Sequence, residues 1–189
     1  MLEQNLFEQN KPAEIEEILL PEAVIQKRVK ELGSQISSDY QGKDLHLVAL
    51  LKGAMVFLAD FSRTLKMQTT IDFMVVSSYV SARSSGEARI LKDLEIPIKG
   101  RDILVVEDII DNGITLQAIM ETLRLRKPAS MKICTLLDKS EARTIPIKPD
   151  YNGFTVPNKF LVGYGLDFEE RYRNLPYVGV LKKEVYERA

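Results

Sequence analysis

The 189-residue chain has little cysteine and almost no net charge, and each shortage excludes a class of protein. Its single cysteine, Cys134, cannot form an internal disulfide, which favours a reducing cytoplasm. The 26 basic and 27 acidic residues leave no basic excess for a nucleic-acid surface. No apolar run approaches the roughly 20 residues of a membrane-spanning helix, and residues 1–20 lack the apolar stretch of a secretory signal. We therefore expect a cytoplasmic protein that binds neither nucleic acid nor membrane.

The apolar residues that are present alternate between short continuous runs and longer amphipathic segments. The continuous runs predict strands at residues 14–20, 45–53, 71–80, 102–108, 131–139, 159–166 and 177–181. The amphipathic segments predict helices at residues 21–36, 54–65 and 115–126. Residues 81–89 and 140–160 show neither pattern, so we expect a mobile loop in the first and an irregular segment in the second.

This order of elements predicts the fold class. Strands that alternate with helices through short connections form a parallel sheet covered by helices on both faces, which is an α/β fold. The first twenty and the last thirty residues do not fit the alternation. We expect one domain over residues 1–189, with a core at about 37–158 and a small lobe built from about 1–20 and 159–189.

The stretch VVEDIIDNGITL, from Val105 to Leu116, crowds three carboxylates around the end of a predicted buried strand. Glu107 and Asp108 are expected at the carboxyl end of that strand, where open parallel sheets bind ligands. Carboxylates accept hydrogen bonds from ribose hydroxyls, directly or through Mg²⁺. The alternative is that Asp111 only caps a helix and the other two acids are solvated turn residues. Three acids after a buried strand, followed by Gly and Thr, favour a sugar site.

The residues after Asp111 are expected to form a tight turn into a helix. The free backbone N–H groups of a helix start, together with its dipole, suit a phosphate. Gly113 would allow close backbone approach, and Asn112 tolerates a left-handed conformation. Thr115 is expected to cap the helix and to donate its hydroxyl to a phosphate oxygen. The turn lacks Gly-Lys-Ser/Thr and no Gly-x-Gly-x-x-Gly follows a strand, which excludes the usual triphosphate and dinucleotide motifs.

VVEDIIDNGITL closely resembles the phosphoribosyl-pyrophosphate-binding motif of type I phosphoribosyltransferases, and its Glu-Asp-Ile-Ile-Asp form resembles the hypoxanthine-guanine branch. Asn112 departs from the Thr or Ser usual in the family. The resemblance implies the type I fold with a hood lobe. It also implies a purine-salvage enzyme that transfers the phosphoribosyl group from 5-phosphoribosyl 1-pyrophosphate to hypoxanthine or guanine, giving IMP or GMP and pyrophosphate. Four further segments resemble the family in the same order: LLKGA (50–54), SSYVSARSSGE (77–87), LLDK (136–139) and PNKFLVGYGLDFEERYRNLPYVGVL (157–181).

The resemblance implies a role for each acidic residue. Glu107 and Asp108 would hold the ribose hydroxyls with Mg²⁺ nearby, and Asp167 would be a further ligand of the metal. Asp111 would lie near the five-membered ring of the purine and act as general base or acid. Like charges at close quarters raise the pKa of one acid, which suits that role. The implied substrate-binding segment comprises Ile110, Asp111, Asn112, Gly113, Ile114 and Thr115.

Residues outside this segment would bind the leaving group and the base. Lys52 and Gly53 would bind pyrophosphate through a turn whose Leu51–Lys52 peptide is often cis in the family. Lys139 would donate to the exocyclic oxygen of a 6-oxopurine, where adenine presents an amino donor. Without the resemblance, both lysines would be solvated residues at strand ends. The other implied contacts are Phe160 stacked on the base, Leu161 with its backbone groups at the purine edge, and Arg173 at the pyrophosphate.

The remaining expectations concern the predicted loop, the partners and two single residues. Ser78 and Tyr79 head a loop that would close to exclude water from a reactive sugar cation. Two other functions stay open: a xanthine-preferring transferase, and a non-catalytic regulator that keeps the fold and binds nucleotides or RNA. The family also implies a homodimer or homotetramer. His46 is expected to be structural at a strand edge, and Cys134 to be an inert core thiol.

Overall fold

The computed structural model describes residues 11–77 and 89–187. The predicted catalytic residues Ser78 and Tyr79 therefore lie outside the described residues, as does nearly all of the predicted loop at 81–89. The chain forms two compact units. One unit joins the residues up to Lys27 with those from Lys159 onward, and the other consists of Arg28–Asn158.

The described strands and helices follow the predicted alternation as far as the strand that ends at Asp138, except that an additional strand lies at Arg89–Lys92. In chain order they are β1 (Ile15–Leu20), α1 (Glu22–Asp39), β2 (Leu45–Leu51), α2 (Met55–Ser62), β3 (Thr69–Ser77), β4 (Arg89–Lys92), β5 (Asp102–Ile110), α3 (Ile114–Arg124), β6 (Ser130–Asp138), a 3₁₀ turn (Ser140–Ala142), β7 (Tyr151–Thr155), β8 (Leu161–Val162), β9 (Val178–Leu181) and α4 (Lys183–Tyr186). None of the described helices is both long and apolar enough to cross a membrane.

The larger unit contains a six-stranded sheet in the order β4-β3-β2-β5-β6-β7. Every neighbouring pair is parallel except β3 with β4, which is antiparallel. Helices flank this mostly parallel sheet, which confirms the predicted α/β class. Because β2, β5 and β6 are neighbours and parallel, their carboxyl ends meet at one edge of the sheet.

The apolar spacing of α3 explains where that helix lies. Leu116, Ile119, Met120 and Leu123 recur at intervals of three and four residues and are all buried. They belong to a core cluster that includes Val105 of β5. Packing over the sheet fixes the start of α3 directly after the end of β5.

The structure corrects the predicted irregular segment at 140–160, because it contains β7. The sequence of β7, YNGFT, has Asn and Gly, which are depleted in strands, so local propensity did not indicate it. Pairing with β6 decides the conformation. A Cβ on Gly153 would overlap the carbonyl oxygen of Leu136, so only glycine allows this close approach of the two strands. The short antiparallel strand β4 was also missed, and Arg89, predicted as loop, begins it.

Other predicted boundaries change by a few residues. Strand β5 continues two residues beyond its predicted end, to Ile110, which pairs with Asp138. Glu107 and Asp108 therefore lie within the last part of the strand. Helix α2 ends at Ser62, before the predicted end at residue 65.

Cys134 and His46, for which the sequence predicts structural roles, both lie in the core. Cys134 is fully buried, and burial raises the pKa of its thiol, as expected of an inert core cysteine. His46 is also fully buried, but the prediction of a strand edge is wrong, because β2 is an interior strand. Its Nδ1 lies 2.8 Å from Thr70 Oγ1. Burial, followed by the charge of Arg101, lowers the pKa of His46.

The smaller unit contains an antiparallel sheet in the order β1-β9-β8. Ile15, Val162 and Leu181 form its buried centre. The predicted strand at 159–166 contracts to two residues, because Gly163, Tyr164 and Gly165 have positive φ angles and end the extended conformation.

Candidate functional site

Four of the predicted site residues lie at the carboxyl ends of three neighbouring strands. Lys52 and Gly53 follow β2, Asp111 follows β5, and Lys139 follows β6. The Leu51–Lys52 peptide is cis, as the resemblance implies. Lys52 is exposed at this edge of the sheet. The parallel topology thus collects cationic and anionic side chains that are far apart in the sequence.

Gly53 lies directly against the carboxylate of Asp108. A Cβ on Gly53 would overlap the Oδ2 atom and the carboxyl carbon of Asp108. Any side chain at position 53 would therefore displace the Asp108 carboxylate. This contact joins the turn after β2 to the acidic pair of β5, and it gives Gly53 a steric reason to be glycine.

Glu107 is a partly exposed residue, but one of its two carboxylate oxygens is buried. Its Oε2 atom is enclosed and has no hydrogen-bond partner within the part of the chain that the structure describes. Burial, with a smaller contribution from the charge of Asp108, raises the pKa of the Glu107 carboxyl well above its ordinary value. Burial of Glu107 is thus the main cause, and crowding by the like charge of Asp108 adds to it. An enclosed, unsatisfied oxygen at a strand end indicates a group prepared for a ligand.

Asp111 and Lys139 form an ion pair at the ends of β5 and β6. Lys139 Nζ donates to Asp111 Oδ2 over 2.9 Å. The lysine side chain is 10% exposed and the aspartate side chain 53% exposed. Lys139 is therefore not the solvated strand-end residue that its position alone would predict. The pair presents one anionic acceptor and one cationic donor at the same edge of the sheet.

The turn after Asp111 differs from the prediction in two details. Gly113, not Asn112, takes the left-handed conformation, with φ of 87°. Asn112 Oδ1 instead accepts a hydrogen bond from the N–H of Ile114 over 2.9 Å, which is a common role of Asn in turns. Helix α3 begins at Ile114, so Thr115 is its second residue and not its cap. The predicted turn therefore exists, with Asn112 satisfying one of its N–H groups.

Arg143 is a site-adjacent residue that sequence reasoning missed. Its guanidinium donates to the carbonyl oxygens of Ile110, Asp111 and Ile147 and to the carboxylate of Asp138. No periodicity or motif marks position 143. The one signal in the sequence was an unexplained acid at the end of a buried strand, Asp138, five residues earlier.

In the smaller unit, the predicted ligands Asp167 and Arg173 bind each other. Arg173 Nη2 lies 2.7 Å from Asp167 Oδ1, and Nη1 donates to the carbonyl oxygen of Gly165 over 2.8 Å. Glu170 completes the group at 3.4 Å from Arg173 Nη2, and its N–H donates to Asp167 Oδ2. These contacts span at most eight residues and form a local charged turn.

The two predicted base contacts of the smaller unit lie next to each other. The Phe160 ring stacks on Tyr186, with centroids 4.8 Å apart, and meets the edge of Phe168 at 5.5 Å. Leu161 is buried in β8 opposite Val180 of β9. One face of Phe160 is thus held by Tyr186, which orients the ring.

The carboxylates of β5 fit a magnesium ion whose coordination shell is completed by oxygen atoms of the substrate. Among the residues described, no three His, Cys, Asp or Glu side chains are grouped closely enough to hold a metal ion by themselves. Mg²⁺ is usually held by one or two carboxylates, with phosphate and water oxygens completing its shell. Glu107, with its unsatisfied Oε2, and Asp108 offer that kind of incomplete set.

Comparisons with known proteins agree with this architecture. The family described as phosphoribosyl transferase domain matches residues 17–169. Hypoxanthine-guanine phosphoribosyltransferase of Bacillus subtilis is 53% identical over 175 residues, covering 92% of this chain and 97% of that protein. The Lactococcus lactis protein of the same name is 50% identical over 184 residues, covering 97% and 100%.

Solved structures give the same result. The crystal structure of a hypoxanthine phosphoribosyltransferase from Staphylococcus aureus superposes with a TM-score of 0.88 at 48% identity, covering 92% of this chain and 95% of that one. The hypoxanthine phosphoribosyl transferase of Trypanosoma cruzi gives a TM-score of 0.89 at 38% identity, covering 94% and 97%. The chain therefore belongs to the phosphoribosyltransferase family, in its hypoxanthine-guanine branch.

Proposed function

We propose that this protein transfers the phosphoribosyl group from 5-phosphoribosyl 1-pyrophosphate to hypoxanthine or guanine and releases pyrophosphate. The observation that carries the proposal is the ion pair between Asp111 and Lys139 at the carboxyl ends of β5 and β6. The pair lies beside a left-handed turn that opens a helix, where a phosphate binds favourably. The names of the similar bacterial proteins support the same reaction.

The ion pair matches the hydrogen-bonding pattern of a 6-oxopurine. Lys139 Nζ donates to the exocyclic oxygen of the base, and Asp111 accepts a proton from the five-membered ring as the other nitrogen of that ring attacks the sugar. Adenine presents an amino group where the oxygen would be, so Lys139 would face another donor. Because a site built to hydrogen-bond one group rejects an analogue that lacks it, the pair supplies both specificity and proton transfer.

The acids of β5 and the turn after β2 serve the sugar and the leaving group. Glu107 and Asp108 accept hydrogen bonds from the ribose hydroxyls, and their negative charge stabilises the cationic sugar of the transition state. Lys52 and the backbone at Gly53 bind the departing pyrophosphate. When bound, Mg²⁺ supplies neutralisation of the pyrophosphate charge, with Glu107, Asp108 and Asp167 as the residues that would hold it.

The remaining proposed contacts involve the base, the pyrophosphate and the 5′-phosphate. Phe160 stacks on the base, Leu161 offers backbone groups to it, and Arg173 binds pyrophosphate. Arg173 and Asp167 must exchange their mutual contact for contacts with the substrate. The segment Ile110 to Thr115 binds the 5′-phosphate through backbone N–H groups, and the N–H of Ile114 would have to exchange Asn112 Oδ1 for the phosphate to take part. The roles of Ser78 and Tyr79 stay predictions, because both residues lie outside the described part of the chain.

A steady-state assay with four bases tests this function. With phosphoribosyl pyrophosphate and Mg²⁺, hypoxanthine and guanine should give nucleotide and pyrophosphate, and adenine should give none. Turnover of xanthine above that of hypoxanthine would replace the proposed substrate with xanthine. No turnover with any base, by a protein whose circular dichroism shows it folded, would overturn the enzymatic proposal.

We also propose a homodimer or homotetramer as the form in solution. The support is the family resemblance, together with the Trypanosoma cruzi relative, whose solved structure concerns the oligomeric state of that protein. Size-exclusion chromatography with light scattering measures the mass directly against the 21.5 kDa chain. A mass of one chain at micromolar concentration would contradict the proposal.

A further inference from the structure

We infer that Arg143 is a positioning residue for base recognition, because it fixes the two backbone segments from which Asp111 and Lys139 project. This inference rests on the proposed function. Arg143 lies in the segment after β6 and makes no contact assigned to a substrate. Its side chain is only 11% exposed, and its ion-pair partner Asp138 is 13% exposed.

The guanidinium of Arg143 holds the end of β5 by its carbonyl groups. Nε donates to the carbonyl oxygen of Asp111 over 3.1 Å, and Nη2 reaches that of Ile110 at 3.4 Å. The carbonyl of Ile110 belongs to the peptide group before the Cα atom of Asp111, and the carbonyl of Asp111 belongs to the peptide group after it. Rotation of that backbone, which would swing the Asp111 carboxylate, breaks at least one of the two bonds.

The same guanidinium holds the end of β6. Nη2 pairs with the Asp138 carboxylate, which directly precedes Lys139. The N–H of Lys139 donates to the carbonyl oxygen of Ile110 over 3.0 Å. Ile110 therefore accepts from both Lys139 and Arg143, so the strand ends are joined at one carbonyl. The 2.9 Å distance between Lys139 Nζ and Asp111 Oδ2 depends on this junction.

Contacts of the neighbouring turn strengthen the junction. Arg143 Nη1 donates to the carbonyl oxygen of Ile147, and Thr144 donates its N–H to the carbonyl oxygen of Asn112 over 3.2 Å. A Cβ on Gly113 would meet Ile147 at 2.6 Å, so the turn packs closely on this segment. Planar guanidinium, with its fork of five donors, serves several acceptors at fixed angles, which a lysine ammonium does not.

Charge compensation explains how a buried cation is accommodated beside the site. Asp138 neutralises Arg143 within the pair, so the potential at Asp111 and Lys139 changes little. The function of the pair is then geometric. Hydrogen bonds to consecutive carbonyls locate a backbone to within a fraction of an ångström, and displacement of catalytic groups by about 1 Å costs roughly 100-fold in rate.

Arg28 provides a matched control in the same protein. Its guanidinium also donates to two consecutive carbonyls, those of Asn152 over 2.7 Å and Gly153 over 3.0 Å, and pairs with Glu31. These contacts hold the edge strand β7 at residues that lie opposite the middle of β6 and not opposite its end at Asp138. Arg28→Gln removes equivalent bonds without touching the segments that carry Asp111 and Lys139.

The test compares the affinities of IMP and AMP, which differ at the group that Lys139 contacts. Isothermal titration calorimetry on wild type, Arg143→Gln, Arg28→Gln and Lys139→Met gives the ratio of the two dissociation constants. Lys139→Met sets the ratio for loss of the donor, because methionine has a similar length and no N–H group. We expect Arg143→Gln to lower the preference for IMP by about tenfold and to lower kcat/KM for hypoxanthine similarly, while KM for phosphoribosyl pyrophosphate changes less than about threefold.

Two further variants keep the test decisive where Arg143→Gln does not fold. The double variant Arg143→Gln, Asp138→Asn leaves no unpaired buried charge, and Arg143→Lys keeps a cation beside Asp138 without the planar fork. Both should show the reduced preference for IMP. A preference equal to that of Arg28→Gln in these variants would overturn the inference. Wild type without turnover on any base would instead overturn the proposed function, so the two failures are distinguishable.

Discussion

Two ion pairs of predicted ligands are formed in very different ways. Asp111 and Lys139 are 28 residues apart and meet because β5 and β6 are neighbours in the sheet. Asp167 and Arg173 are six residues apart and meet within one charged turn. The first pair joins a buried cation to an exposed acid, with Lys139 10% and Asp111 53% exposed, whereas Arg173 and Asp167 are 20% and 29% exposed.

The difference teaches where precision in such a site comes from. A pair held at two strand ends inherits the rigidity of the sheet, and Arg143 further restricts the backbone around it. A pair within a turn is free to rearrange with the turn. The proposed roles fit this difference: proton transfer and base selection need the fixed first pair, and charge binding tolerates the movement of the second. Replacing members of each pair tests that division.

The largest effect is expected from Asp111→Asn. The amide keeps the shape of the carboxylate but cannot accept the proton, so kcat should fall by about 100- to 10,000-fold. Steady-state kinetics with hypoxanthine measures it. Asp44→Asn is the control, because it removes the 3.1 Å pair with Arg101 at the other end of the sheet and should retain wild-type turnover. Turnover of Asp111→Asn near that of Asp44→Asn would exclude the proton-transfer role.

A smaller effect is expected from Asp167→Asn, which weakens the local pair. Loss of this charge should raise KM for phosphoribosyl pyrophosphate about tenfold and raise the Mg²⁺ concentration needed for half-maximal rate. Both follow from initial rates at varied substrate and Mg²⁺. If neither parameter moved, the assignment of Asp167 to the metal and the division between the two pairs would be wrong.

Glu107→Gln extends the comparison to an acid outside both ion pairs, whose enclosed Oε2 has no hydrogen-bond partner among the described residues. Burial raises the pKa of the folded-state carboxyl, so the native protein binds a proton more tightly than the unfolded chain. Stability of the wild type should then decline as pH rises from the unfolded value of about 4.3 towards the raised value. The uncharged glutamine avoids this decline.

The expected result is a higher midpoint of thermal unfolding for Glu107→Gln at pH 7, by about 2 °C or more, with the gain vanishing near pH 4. Scanning calorimetry between pH 4 and 8 measures it, and the same variant should lose activity. Glu121→Gln, which changes an exposed acid of α3, is the control and should leave the midpoint unchanged. An equal gain at every pH would show that ionisation of Glu107 is not its cause.

The smallest effect is expected from Glu170→Gln. Its carboxylate lies 3.4 Å from Arg173 Nη2 and is 63% exposed, and such pairs contribute less than about 1 kcal/mol. Urea denaturation should give a free energy of unfolding within about 0.5 kcal/mol of wild type, with KM for phosphoribosyl pyrophosphate unchanged. A tenfold rise in that KM would place Glu170 beside Asp167 as a ligand.

Most of the sheet and the acidic segment were predictable because their signals are local. The apolar run of β2, the three- and four-residue spacing of α3, and the motif of Val105–Leu116 are each contained in about a dozen residues. The strand β7 was not predictable, since YNGFT has little strand propensity and becomes a strand by pairing with β6. Arg143 was not predictable either, because its bonds to Ile110 and Asp111 cross 33 and 32 residues.

The sequence by itself determined the fold class, the family and the chemical types present at the site, because periodicity and the motif are properties of consecutive residues. Only the tertiary structure decided that Lys139 is buried against Asp111, that Gly53 contacts Asp108, and that Asn112 satisfies the N–H of Ile114. The physical reason is that strand order brings distant residues to one edge of the sheet. Steric exclusion and unsatisfied hydrogen bonds then select the partner of each side chain.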